Sequence, residues 1–292
     1  MYDLKLLKDR LARVKEVSQK EGLDGLIAGV KRYKTYYNPF KSFFLYKLNK
    51  IKYRDSMASP DKIIYIDPDK VKYRLRNRFL TELSVGYTFV FSGNWDINKK
   101  PDKENKNNNR YLTPFEDYYI YRSFKKRFLD GVSWEETDYY KKRISKIRSG
   151  ETNEHHPRYG TEEKFHQRLS QLDELYKKMK EEGYKTQKQL NKEKEKDRSN
   201  VPLHQKRRYP NLNEVMVNIG RDGGFIFEEG RHRFSIARLL GLDSIPVRVF
   251  VRHEEWQELR SEVAGADDVG DLSDRAVDFL DHPDMQDISK HL

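Results

Sequence analysis

Apolar positions recurring every three or four residues predict the helices of this chain, and strict alternation predicts its strands. Leu4, Leu7, Leu11, Val14 and Val17 predict an amphipathic helix with a basic polar face, interrupted at Gly22. Two more helices are expected between Phe115 and Gly150, separated by Gly131-Val132-Ser133. Over 161–184 the stripe Phe165, Leu169, Leu172, Leu175 and Met179 predicts another, with Thr161 placed as its N-cap and Gly183 as its terminator. "KIIYIDPDK" alternates as a strand and turns at Asp67-Pro68, and "VGYTFVFSGNWD" is a β-rich run closed at Gly93-Asn94. Downstream, "EVMVNIG" and "FIFEE" flank the turn Arg221-Asp222-Gly223-Gly224 as a strand pair. "HRFSIARLLGL" then predicts a helix ended by Gly241, and "IPVRVFV" a strand. From Asp267 onward one or two short acidic helices are expected, the second broken by Pro283.

This pattern implies an α+β chain: a mainly helical N-terminal region with a small sheet, then a small mixed sheet with packed helices. The stretch 187–208 has few apolar side chains and many charges, which makes it the expected boundary between units. The organisation read from the sequence is a basic aromatic segment over 1–60, an α+β unit over 61–195, a compact module over 200–256 and an acidic helical tail over 257–292. Residues 99–110 contain almost no apolar side chain and read as a mobile surface loop.

Charge and composition narrow the chemistry. The chain has 292 residues, no cysteine and a formal net charge of +11. Without cysteine there is no disulfide-linked partner, no thiolate metal site and no cysteine nucleophile. No stretch reaches the roughly 18 to 20 apolar residues that span a bilayer, so a cytoplasmic location is expected. Residues 1–60 hold 14 Lys/Arg against 6 Asp/Glu, whereas 261–292 hold 9 acids against 2 bases. Between 30 and 55, Lys31, Arg32, Lys34 and Lys41 are interleaved with Tyr and Phe. That composition suits a peripheral contact with an anionic membrane's inner face, or a nucleic-acid backbone.

The candidate chemistry sits at "FIFEEGRHRF". Glu228 and Glu229 end a predicted strand, and Gly230-Arg231-His232-Arg233 opens a helix. A helix N-terminus offers unpaired backbone N–H groups and a partial positive charge, and arginine adds forked contacts to phosphate. Neighbouring residues on a helix point apart, so two of the three side chains are expected at the ligand, His232 and Arg233 foremost. The alternative is that Arg231 and Arg233 pair with Glu228 and Glu229 and merely brace the turn. Trp95 and Asp96, at the end of a predicted strand, are a possible substrate contact. His155, His156, His204 and His253 lack the spacing of a zinc site.

The stretch "FIFEEGRHRFSIARLLGLDSIPVRV", within residues 212–253, resembles the nucleotide-binding core of the ParB/sulfiredoxin superfamily. The resemblance implies that Gly230, Arg231, His232 and Arg233 hold the phosphates of ATP or CTP with Mg2+. Glu229, helped by Glu228 or Glu214, would hold the metal or take a proton from an acceptor hydroxyl. Arg231 stands where sulfiredoxins carry their reactive cysteine, so peroxiredoxin repair is excluded. Only about forty residues, acidic in balance, follow His253, where partition proteins carry a helix-turn-helix domain. The closest likeness is to free serine kinases, with Glu229 replacing their aspartate. A phosphotransferase or NTPase is therefore expected, with a nucleic-acid-binding protein or ParB-like nuclease as the alternative. "SGNWD" and "FKKRFLDGVSWEET" resemble the upstream half of uncharacterised archaeal proteins that end in the same module.

Overall fold

Side-chain alternation along three C-terminal strands sets up the two faces of the molecule. A computed structural model describes residues 39–100, 110–152, 156, 158–196 and 210–292. In β5 (Val215–Ile219) the odd positions Val215, Val217 and Ile219 enter one core and Met216 the other. In β6 (Phe225–Glu229), Phe225 and Phe227 face the first core and Ile226 the second. Both faces of a strand are then apolar, as a sheet covered on both sides requires.

These strands lie within one mixed seven-stranded sheet. The remaining strands are β1 (Ile63–Ile66), β2 (Tyr73–Arg76), β3 (Phe89–Phe91), β4 (Tyr111–Pro114) and β7 (Ile245–His253). Their order is β1-β7-β5-β6-β2-β4, and β3 shares an edge of β7 with β1. β1 runs antiparallel along Ile245–Arg248, and β3 runs parallel along Val251–His253. All nine residues of β7 are buried, which fits its place between strands on both sides. β6 pairs with the parallel β2, which in turn pairs with the antiparallel edge strand β4.

The sequence therefore divides differently from the fold. The expected units 61–195 and 200–256 contribute β1–β4 and β5–β7 to the same sheet, so the charged stretch between them does not separate two sheets. The α+β class stands. β4 escapes the alternation rule because it is four residues long and ends in proline, which an edge strand tolerates. The helix expected over 4–17, and most of the 99–110 loop, lie outside the described residues.

Helices cover the sheet. The larger core holds side chains from α2 (Tyr119–Phe128), α3 (Asp138–Arg148), α4 (Glu162–Glu182), α6 (Arg231–Leu239) and α7 (Glu254–Gly265). On the other face α1 (Pro39–Tyr53) packs Leu45 and Tyr46 against the smaller core, which contains Phe79, Phe89, Trp95 and Phe250. α5 (Gln187–Lys196) follows α4 within the charged stretch. At α4 the predicted cap is present: the Thr161 side chain accepts from the Lys164 N–H, and Gly183 ends the helix at φ 73°.

The acidic tail is locked in place. Beyond α7 and the short α8 (Asp274–Asp278), Asp284 is completely buried. It accepts from Arg252 at 2.6 and 2.8 Å and from the Trp256 indole at 3.0 Å. Arg260 reaches the Asp284 carbonyl and Asp287, and Met285 and Ile288 enter the core. The acids of the tail thus neutralise arginines of β7 and α7, a long-range pairing that composition alone does not display.

Candidate anion-binding site

The turn from β6 into α6 depends on a glycine. Gly230 has φ 95°, and a Cβ there would lie 3.0 Å from both Cα and Cγ2 of Val215. No other residue fits so close to the neighbouring strand without displacing it. The chain then enters α6 with no side-chain cap, and its first intrahelical bond runs from the Phe234 N–H to the Gly230 carbonyl. The N–H groups of the first turn are thus presented with the helix dipole behind them.

The three side chains that follow diverge. Arg233 turns to the buried Glu214, which it meets at 3.1 Å, to the Tyr184 hydroxyl at 3.0 Å and to the Asn213 carbonyl. It is a brace, which removes it from the expected ligand pair. His232 stacks on Phe124, with ring centroids 5.6 Å apart and planes 9° from parallel. Its Nδ1 lies 3.3 Å from Arg168 Nη2 and its Nε2 lies 3.2 Å from the Tyr139 hydroxyl. A guanidinium can only donate, so Nδ1 accepts, Nε2 carries the proton, and the ring is held in one tautomer. Burial, then the cations of Arg231, Arg168, Arg158 and Arg143, pushes His232 well below its ordinary range, leaving it neutral at pH 7.

Three of those arginines, Arg143, Arg158 and Arg168, were not singled out in the sequence. Arg143 comes from α3, Arg158 from the turn before α4, and Arg168 from α4. With Arg231 they surround Tyr139 and Tyr159, whose hydroxyls are 3.5 Å apart. Among the described residues none of the four forms an ion pair. Arg168 Nε is buried without a hydrogen-bond partner among the described residues. Although burial works to raise the Tyr159 phenol, the Tyr139 hydroxyl and the Arg231 and Arg168 cations bring it below its usual value. Positive potential is concentrated beside an uncapped helix N-terminus.

The three carboxylates have separate environments. Glu228 is fully buried at the end of β6 and accepts from the Leu80 N–H at 2.7 Å and the Asn218 amide at 2.8 Å. Burial dominates those bonds and raises it to about 7. Glu229 pairs with Arg78 and also accepts from the Gly230 N–H at 3.0 Å. Glu214 precedes β5 and is raised by burial despite its contacts with the Gln187 N–H, Arg233 and Tyr184. Of the three, Glu229 alone keeps a partly exposed side chain beside Arg231. The bracing pairs are therefore Arg233 with Glu214 and Glu229 with Arg78, and Arg231 is left over.

Other candidates lie elsewhere. Trp95 is 1% exposed in the smaller core, against Phe79 and His253. Asp96 holds the β5–β6 turn by accepting from the Arg221 N–H at 2.8 Å and its guanidinium at 3.0 Å. Both are at the opposite end of the hairpin from Gly230, in structural roles. His253 donates to the Gly93 carbonyl at 2.8 Å. Lys41 is on the exposed side of α1, and Lys31, Arg32, Lys34, His155 and His204 lie outside the described residues. A cavity of about 460 Å³, lined by Asp67, Asp222, Asp243 and His282 among others, also belongs to that far end. No helix among the described residues is long and apolar enough to cross a membrane.

Comparison of the chain with protein-family models, curated proteins and solved structures gives no match.

Proposed function

We propose that the chain is a nucleotide-binding protein of the ParB/sulfiredoxin type that holds the phosphates of a nucleoside triphosphate at the N-terminus of α6. The supporting observation is the convergence of Arg231, Arg168, Arg158 and Arg143 on that uncapped terminus, none of them ion-paired among the described residues. Unpaired guanidiniums beside oriented N–H groups favour phosphate over any neutral ligand. Element order adds to this: a hairpin, a glycine turn, a helix and a strand returning parallel to β5 match the module that the motif resembles.

The reaction this arrangement suits is transfer or hydrolysis of the terminal phosphate, in which positioning and charge neutralisation do most of the work. Among the described residues no group of three metal-ligating side chains occurs. Magnesium on a nucleotide takes most of its ligands from phosphate and water, with one or two carboxylates from protein. Glu229 fits that need: it is partly exposed and stands beside Arg231. When bound, the ion would neutralise charge on the phosphates. His232 fixes the Arg168 guanidinium and the Tyr139 hydroxyl at the site's wall, and its neutral ring adds no repulsion. Glu228 and Glu214 are committed to the interior and hold β6 and α6 in place.

Isothermal titration with ATP, CTP, GTP and ADP in magnesium tests the proposal. Binding in the micromolar range is expected for at least one triphosphate, weakened at least tenfold by Arg231→Ala. Failure to bind any of them more tightly than about 1 mM would remove it.

A further inference from the structure

Cations continue outward from α6 onto β2 and α3. Arg74 of β2 lies over the Tyr118 ring at 4.0 Å, Lys142 of α3 over Tyr119 at 4.5 Å, and Arg143 over Tyr159 at 4.4 Å. Arg158 and Arg168 extend the same surface. Tyr119 is within the field of Arg231, Arg143 and Arg74 together, which joins the two groups into one patch. With Arg231 the patch holds six cations, more charge than a triphosphate balances. None of the six is ion-paired among the described residues.

Rings hold three of these cations, Arg74, Lys142 and Arg143, in place without an ion pair among the described residues. A cation seated on an aromatic face is held by the ring quadrupole, so its position is fixed without an anion to neutralise it. Tyr118, Tyr139 and Tyr159 are themselves buried, so their ring faces are not free for base stacking. Lys142 and Arg158 are exposed and Arg74, Arg143 and Arg168 half-buried, which makes the patch an open wall and not an enclosed pocket. A ligand for such a wall carries several phosphates spaced along a chain and is recognised by charge.

We infer that the wall formed by Arg74, Lys142, Arg143, Arg158 and Arg168 binds the phosphodiester backbone of a nucleic acid. This relocates the nucleic-acid contact expected at Lys31, Arg32, Lys34 and Lys41 to the surface that flanks α6. The wall shares Arg143, Arg158 and Arg168 with the proposed nucleotide site but needs neither Arg231 nor the helix terminus, so nucleic-acid binding can be present or absent whether or not a nucleotide binds at α6.

The test is fluorescence anisotropy of the full chain with a labelled 20-nucleotide oligothymidine and with a 20-base-pair duplex. Engagement of five cations by a single strand predicts binding about 100-fold weaker at 200 mM salt than at 50 mM. Lys142→Glu/Arg143→Glu and Arg158→Glu should each weaken binding at least tenfold, with circular dichroism and melting temperature showing that the variants fold. Binding of either nucleic-acid form with that salt slope and those losses supports the inference. No binding of either form at 50 mM salt, full affinity in both wall variants, or loss only in Lys31→Glu/Arg32→Glu/Lys34→Glu/Lys41→Glu overturns it. Calorimetry with nucleotide alone reports separately on the α6 site, so the two proposals fail by different measurements.

Discussion

Two residues apart at the start of α6, Arg231 and Arg233 leave the helix in different directions, and Arg233 is the one that meets a buried carboxylate. Arg233→Ala strands Glu214 in the interior with only Tyr184 and the Gln187 N–H, and should cost about 2 kcal/mol in urea denaturation. Arg231→Ala removes a cation from a crowd of cations, so its stability should stay within about 0.5 kcal/mol of the parent. Equal losses for both would contradict this division of roles. Glu228 supplies a pH signature. Its folded pKa of about 7 lies above its unfolded value, so the folded state holds the extra proton between the two. Stability from this group is complete below the unfolded pKa and is lost as pH rises through about 7. Glu228→Gln abolishes that slope, and its stability relative to the parent should rise by about 2 to 3 kcal/mol from pH 5 to pH 8. A pH-independent difference would show that Glu228 is ionised throughout. At this scale the glycine turn was legible because its residues are contiguous and only glycine meets its geometry. Arg143, Arg158 and Arg168 were not, since in local sequence each looks like an ordinary solvated cation, and only packing of α3 and α4 onto α6 brings them together.

Elements with local signals came through and elements held by distant partners did not. α4 carries its own cap, stripe and terminating glycine, and the β5–β6 hairpin carries Gly223, whose φ of 78° and 2.8 Å clearance from Trp256 exclude a side chain. The tail has acidic composition as its main signal, and composition reads as a solvated appendage. What decides its fate is Arg252 at the end of β7 and Arg260 on α7, two buried cations whose partners come from the tail. Although burial alone would raise it, Asp284 is held well below the ordinary carboxylate range by Arg252 and Arg260. Its stabilisation is present above the unfolded pKa near 4 and is lost as pH falls below it. Asp284→Asn leaves both arginines buried with a neutral partner and should lower stability at pH 7 by about 3 to 5 kcal/mol. The same substitution should shrink the difference from the parent toward pH 3, where the parent's carboxylate begins to protonate in the unfolded state. A loss below about 1 kcal/mol at pH 7, read by urea denaturation, would show the tail to be dispensable.

Across the whole molecule, one sheet joins strands from both halves of the sequence and leaves β6, α6 and β7 with helices α2, α3 and α4 packed around the α6 N-terminus. The far end of the β5–β6 hairpin is closed by Asp96, Arg221 and the tail, whereas at the Gly230 end, beside the pairs Arg78–Glu229 and Arg233–Glu214, Arg231, Arg168, Arg158 and Arg143 form no ion pair among the described residues. On that asymmetry rests our proposal that the Gly230 end receives phosphate. The most direct measurement is the amide spectrum of the full chain, labelled with nitrogen-15, titrated with pyrophosphate and then with ATP and magnesium. Saturable shifts are expected, largest at the Arg231, His232 and Arg233 amides, with the His232 ring titrating at higher pH once the anion offsets the surrounding guanidiniums. Shifts confined to other parts of the chain, or none at these three amides up to about 10 mM ligand, in the weakest affinity range, would contradict the proposal.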